Sequence, residues 1–149
     1  MAGWVRVAGQ GRPVNVYVAH LNFTDRSGAT RRRQVEDLLD FVNATRGDAP
    51  VLVGGDFNTA GDAPELAPLR ACCADAYAQR LPGQDLSGDA HVTLNRLYNP
   101  PARIDLLFAG HGGFRVVDAR RILDRPDADG TWASDHFGVW ARLAVLPPP

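Results

Sequence analysis

Val14, Val16 and Val18 alternate with Asn15, Tyr17 and Ala19, and a period of two places the three valines on one face of a strand. The run Trp4 to Ala8 precedes it, separated by "GQGRP", so the two runs predict a β-hairpin with His20 at its exit. From Ala29 to Arg46 the period changes. Val35, Leu38, Leu39 and Val42 follow the i, i+3, i+4, i+7 rule of a helix, with Ser27 or Thr24 as the cap and Gly47 as the stop. Val51 to Val53 is an unbroken apolar run, the pattern of a strand covered on both faces. Asp62 before Pro64 predicts an N-cap and a short helix from Pro64 to Arg70. Three later runs read as strands: Ile104 to Ala109, Phe114 to Leu123, and Phe137 to Leu146, the last with two unlike faces. Gly-, Asp- and Pro-rich segments, Leu81 to Pro101 and "DRPDADGTWAS", join them as loops. Strands and helices thus mix in one α/β domain spanning 1–146, with a short tail at 147–149.

Composition narrows this picture only a little. A chain of 149 residues suits one domain, one that buries roughly 70% of the surface its unfolded form exposes. With 45% hydrophobic residues, 15 Gly and 11 Pro, it reads as folded and rich in turns. A net charge of −1 argues against strong general attraction to nucleic acid, which needs a positive surface. All 16 basic residues are Arg, which suits phosphate recognition, but the favoured explanation is biased codon usage, of which abundant Ala, Gly, Asp, Val and Pro and scarce Ile are the sign. Cys72 and Cys73 are adjacent, a spacing that rarely meets disulfide geometry. The sequence shows neither a signal-peptide pattern nor 18 consecutive apolar residues, so no membrane span is expected.

Chemistry gathers at the strand ends. His20 closes the second strand, and Asp56 and Asn58 close the third, two apart and on one side if the chain stays extended. Asp105 sits inside "RIDLLF", while Asp135 and His136 open the last strand. Each alone has an ordinary explanation: Asp and Asn make turns, and Arg103 is an obvious partner for Asp105. Two imidazoles, three carboxylates and an amide together are what metal-assisted hydrolysis of a phosphate ester requires. Carboxylates hold a hard cation such as Mg²⁺ (or Mn²⁺), imidazoles move protons, and an amide orients water without adding charge. A Cys–His zinc ladder, H-E-x-x-H, G-x-S-x-G and the P-loop are all missing from the sequence.

"VYVAHLNF", "VLVGGDFNT", "ARIDLLFAG" and "ASDHFGVWARL", in this order, resemble the endonuclease/exonuclease/phosphatase superfamily of DNase I-like nucleases, neutral sphingomyelinases and inositol phosphatases. The resemblance implies a layered β-sandwich flanked by helices and a metal-dependent phosphoesterase. It implies that Asp56 helps to activate the attacking water and hold the metal, and that Asn58 positions water and phosphate. By the same resemblance His20 is the first catalytic imidazole, Asp135 a metal ligand, and His136 the second imidazole, oriented by Asp105.

These motifs belong to the C-terminal half of that fold. The first half, which in the family supplies a metal-binding Glu and an Asn, is expected to lie outside this sequence, as in a truncated record. Of the two glutamates here, Glu36 and Glu65, both read as helix residues on solvated faces. The run Arg31, Arg32, Arg33 reads as the solvated side of its helix, and Trp132 either stacks on substrate or lids the core. A half-sandwich would expose an inner sheet face, Val14, Val16 and Val18 or Phe137, Val139 and Leu143, so the chain is expected to self-associate or to need its other half. The substrate is a phosphate ester: a small molecule, a lipid head group or nucleic acid, with the weak charge leaning away from long nucleic acid. The competing reading is a non-catalytic binding module of the same fold that lacks the full metal site.

Overall fold

Seven strands and three α-helices arise from these patterns in the computed structural model, which describes residues 1–9 and 11–148. Gln10, within the segment expected to turn the hairpin, and Pro149, within the expected tail, lie outside the described residues. Strands β1 (Ala2–Val7) and β2 (Val14–His20) form the antiparallel hairpin. Helix α1 (Ala29–Thr45) then crosses over to β3 (Val51–Asp56), which lies parallel to β2. A single 3-10 turn (Pro64–Leu66) runs into α2 (Ala67–Cys72), followed by β4 (Cys73–Asp75) and α3 (Ala76–Arg80). The last strands are β5 (Asp105–Gly110), β6 (Phe114–Ile122) and β7 (Gly138–Val145). Two sheets result, a five-stranded one in the order β1-β2-β3-β5-β4 and a two-stranded one of β6 and β7.

The two faces of the larger sheet differ. Tyr17 and Ala19 of β2, Val51 and Val53 of β3, and Leu106 and Phe108 of β5 point toward α1 and bury Val35, Leu38 and Val42. Asn15 is wholly buried there because both ends of its amide are used: Trp4 Nε1 donates to Oδ1 at 3.1 Å, and Nδ2 donates to the Arg46 carbonyl at 2.7 Å. It thereby ties β2 to the end of α1. On the other face Leu52 is only half-buried, so β3 is fully covered on one side and not on both.

Local capping departs from the sequence reading. Gly28, with φ of 78°, occupies the N-cap of α1, and no side chain caps it. Asp25 does part of that work instead, accepting from the Ser27 and Thr30 amides and the Ser27 hydroxyl. Asp62 likewise caps nothing; Ala63 precedes the 3-10 turn with no side-chain hydrogen bond. Val14 and Phe137, expected on an open face, are buried. Val18 of the same set is 59% exposed, and Val5 and Val7, which pair with Val16 and Val14 on the same face, are 57% and 47% exposed. No helix among the described residues is long and apolar enough to cross a membrane.

Candidate active site

Strand register alone aligns three of the ionisable residues. His20 pairs with Asp56 across the parallel β2–β3 ladder, and Asp56 pairs with Asp105 across the antiparallel β3–β5 ladder. Paired residues share a sheet face, so the three side chains form one row on the face away from α1. Gly55 makes the approach possible. Its φ is 140°, and a Cβ there would sit 1.9 Å from the Ala19 carbonyl oxygen. His20 Nε2 comes within 3.5 Å of Asp56 Oδ2.

After Asp56 the chain stops being extended. Phe57 turns into the core against Phe108, and Asn58 takes a left-handed φ of 51°. The Asn58 amide donates to Asp56 Oδ1 at 2.9 Å, and its side-chain Nδ2 donates to the Leu21 carbonyl at 3.0 Å. Asn58 therefore stands beside Asp56 through a tight turn, not through strand alternation.

His136 arrives from the loop that leads into β7. The loop before β7 pairs with the segment around Thr93: the Phe137 amide donates to the Thr93 carbonyl at 2.6 Å, and Leu94 bridges to His136. This docking brings His136 Nδ1 to 2.9 Å from Asp105 Oδ2. Thr93, buried, also accepts from the Ile104 and Asp105 amides at 3.0 Å each, so it fixes the end of β5. Thr93 was indistinguishable from loop in the sequence; the alternation of "HVTLN" was its only trace.

Burial pushes the Asp105 carboxyl above its ordinary range, against hydrogen bonds from Thr93 and His136, and the Asp56 charge adds to the rise. Burial works the other way on His136, but the Asp105 hydrogen bond and the charges of Asp105, Asp56 and Asp135 outweigh it and raise its pKa. Asp135 is exposed and held below its ordinary range first by a hydrogen bond from Asn99 Nδ2, 3.1 Å away. Ligand atoms of Asp56, Asp105 and His136 all lie within 4.8 Å of one another; Asp135 is not in that group. Such a donor set fits a hard divalent cation, which binds through one or two carboxylates and keeps several waters.

Other readings are settled by their contacts. Arg103, the obvious partner for Asp105, pairs instead with Asp75, Nη1 to Oδ2 at 2.8 Å, though outside hydrogen-bond angles. Trp132 packs against Phe137, ring centroids 5.6 Å apart. Glu36 is solvated as expected, in an exposed pair with Arg32. Arg31 and Glu65 are not: Arg31 is 8% exposed and pairs with Glu65 at 2.8 Å. A cavity of about 860 Å³ holding Arg70, Arg103 and His111 contains none of the row residues.

The family model for the Endonuclease/Exonuclease/phosphatase family matches residues 1–136. The chain belongs to this family. A search of curated proteins found no match. Among solved structures, TDP2 from D. rerio complexed with a single-strand DNA product superposes with a TM-score of 0.75 at 19% identity, covering 96% of this chain and 61% of that one. A functionally unknown conserved protein from Enterococcus faecalis V583 gives a TM-score of 0.73 at 22% identity, covering 97% and 55%. The human Nocturnin catalytic domain with bound sulfate gives 0.70 at 22%, covering 97% and 52%. These likenesses carry the fold, a mixed α/β sandwich with flanking helices. The chain spans little more than half the length of these endonuclease/exonuclease/phosphatase-fold neighbours.

Proposed function

We propose that the chain carries the water-activating part of a divalent-metal-dependent phosphoesterase. The observation that supports this reading most is the row of His20, Asp56 and Asp105 across three neighbouring strands, closed by His136 at 2.9 Å from Asp105. Asp56 is the proton acceptor for the attacking water. Asn58 has one amide hydrogen on Leu21, which leaves its other hydrogen and its oxygen to orient water or a phosphate oxygen. With Nδ1 donating to Asp105, His136 presents Nε2 to the substrate, and its raised pKa favours the imidazolium as a donor to phosphate. His20, largely exposed beside Asp56, is a second donor to the phosphate. Mg²⁺ or Mn²⁺ held at Asp56, with Asp135 as a further ligand from outside the Asp56–Asp105–His136 group, would supply neutralisation of charge developing on the phosphate oxygens. A chain of net charge −1 suits small or lipid phosphodiesters better than long nucleic acid, although the TDP2 neighbour holds DNA.

Turnover of a chromogenic phosphodiester is the test. Hydrolysis should require Mg²⁺ or Mn²⁺, and Asp56→Asn and His136→Ala should each lower kcat by roughly 10² to 10⁴. Metal-independent hydrolysis, or either variant folded and fully active, would refute the assignment. The second reading, a non-catalytic module, is favoured by one observation: neither glutamate reaches the row, Glu36 being exposed on α1 and Glu65 bound to Arg31. It predicts phosphate binding without turnover.

A further inference from the structure

Resting on the phosphoesterase reading for the use made of the Asp56–Thr59 turn, we infer that Arg31 and Glu65 are positioning residues, a buried pair that locks this turn against the segment leaving β2. Glu65 Oε1 accepts three hydrogen bonds, from Arg31 Nε at 2.9 Å, Arg31 Nη2 at 2.8 Å and the Thr59 hydroxyl at 2.9 Å. The remaining Arg31 nitrogen, Nη1, donates to the carbonyls of Asn22 at 3.2 Å and Asp25 at 2.8 Å. Arg31 and Glu65 together therefore join the chain just beyond His20 to the residue just beyond Asn58.

Asn58 lies between the two joined segments. Its side chain reaches Leu21, its amide reaches Asp56, and its left-handed backbone is uncommon for a residue with a Cβ. Such a conformation persists where the surroundings over-determine it. A slot is built for the carboxylate that does so: at Gly28, φ 78°, a Cβ would lie 2.9 Å from Glu65 Oε1. A general stabilising ion pair would need neither the Thr59 link nor the two carbonyl contacts. Lysine cannot replace the guanidinium, since a single ammonium lacks the planar fork that serves the carboxylate and the carbonyls together.

Amide hydrogen exchange of the whole chain, followed by NMR, tests this without any turnover. Thr59→Val keeps the side-chain shape and removes the link; Arg31→Lys keeps the charge and removes the fork. Both should speed exchange at the Asn58 amide by roughly tenfold while leaving Val53 and Phe108 protected, as local opening does. Thr59→Ser, which restores the hydroxyl, should restore the parent rate. Unchanged exchange at Asn58 in folded Thr59→Val would overturn the proposal. So would faster exchange that is equal at Asn58, Val53 and Phe108, which marks a global stability role only. If Asn58 loosens as expected but phosphodiester hydrolysis by the parent proves independent of divalent metal, the brace stands and the metal-dependent phosphoesterase reading falls; the reverse pair of results sinks the brace alone.

Discussion

Glu65 and Asp105 are both largely buried carboxylates, and their surroundings resolve the cost of burial in opposite directions. Burial raises the Glu65 carboxyl, but its own backbone amide, Arg31 and Thr59 outweigh that and hold it below its ordinary value. A depressed folded pKa stabilises the fold above the ordinary glutamate value and loses that contribution as pH falls through the folded value. Urea midpoints should therefore drop on the acid side of the ordinary value of 4.5, and Glu65→Gln should flatten that limb; parallel pH profiles for the two proteins would contradict the pairing. At neutral pH Glu65→Ala should cost about 3–5 kcal/mol, because it leaves Arg31 buried and unpaired. Asp105 has no guanidinium beside it, only the His136 ring and Thr93. If it acts only through the imidazole, removing it after His136 should cost little further rate, so a double-mutant cycle of Asp105→Ala and His136→Ala should be strongly non-additive. Additive losses would show two separate roles. His20, Asp56 and Asp105 were legible because each interrupts or ends an apolar run. Arg31 and Glu65 were not, since a charge at the start of a helix reads as solvated and their burial comes from a contact 34 residues apart.

Strands serve here as rulers. Three adjacent strand ends set the spacing of the row, and the β2–β3 part of it depends on Gly55, where φ is 140° and a Cβ would meet the Ala19 carbonyl at 1.9 Å. Gly55→Ala combines backbone strain with a steric clash and should cost about 3 kcal/mol or more, read as a lowered Tm. A melting curve like the parent's would mean that β2 and β3 tolerate separation. The longer elements could be read from periodicity because burial on one face imposes it: α1 ends within one residue of its expected limits, as do β5 and β6. Strand β4, three residues, and helix α3, five residues, are too short for any period to show. Asp75 does cap α3, accepting from the Tyr77 and Ala78 amides, but a cap without a following apolar stripe carries no signal by itself.

At the scale of the molecule, the face that carries the row is covered unevenly. β6 and β7 form a separate two-stranded sheet, while Val5, Val7 and Val18 face solvent on β1 and β2. β1 is also the sheet edge, with all six residues exposed. An apolar patch beside an unpaired edge invites association. Sedimentation of the chain by itself should show mass rising with concentration, and Val5→Arg with Val18→Glu should shift it toward monomer; a parent that stays monomeric throughout would show that this face tolerates water. The central claim is that the row, and not some other ionisable cluster, is the divalent-cation centre. The chain's four histidines provide the internal control: His20 lies in the row and His136 closes it, whereas His91 is bound to Tyr77 and His111 lines the separate cavity. Titrating the whole chain with Mn²⁺ while following the histidine ring signals by NMR tests the claim most directly. The account predicts early paramagnetic broadening of His20 and His136, abolished by Asp56→Asn, with His91 and His111 still sharp; equal broadening of all four, or of none, would contradict it.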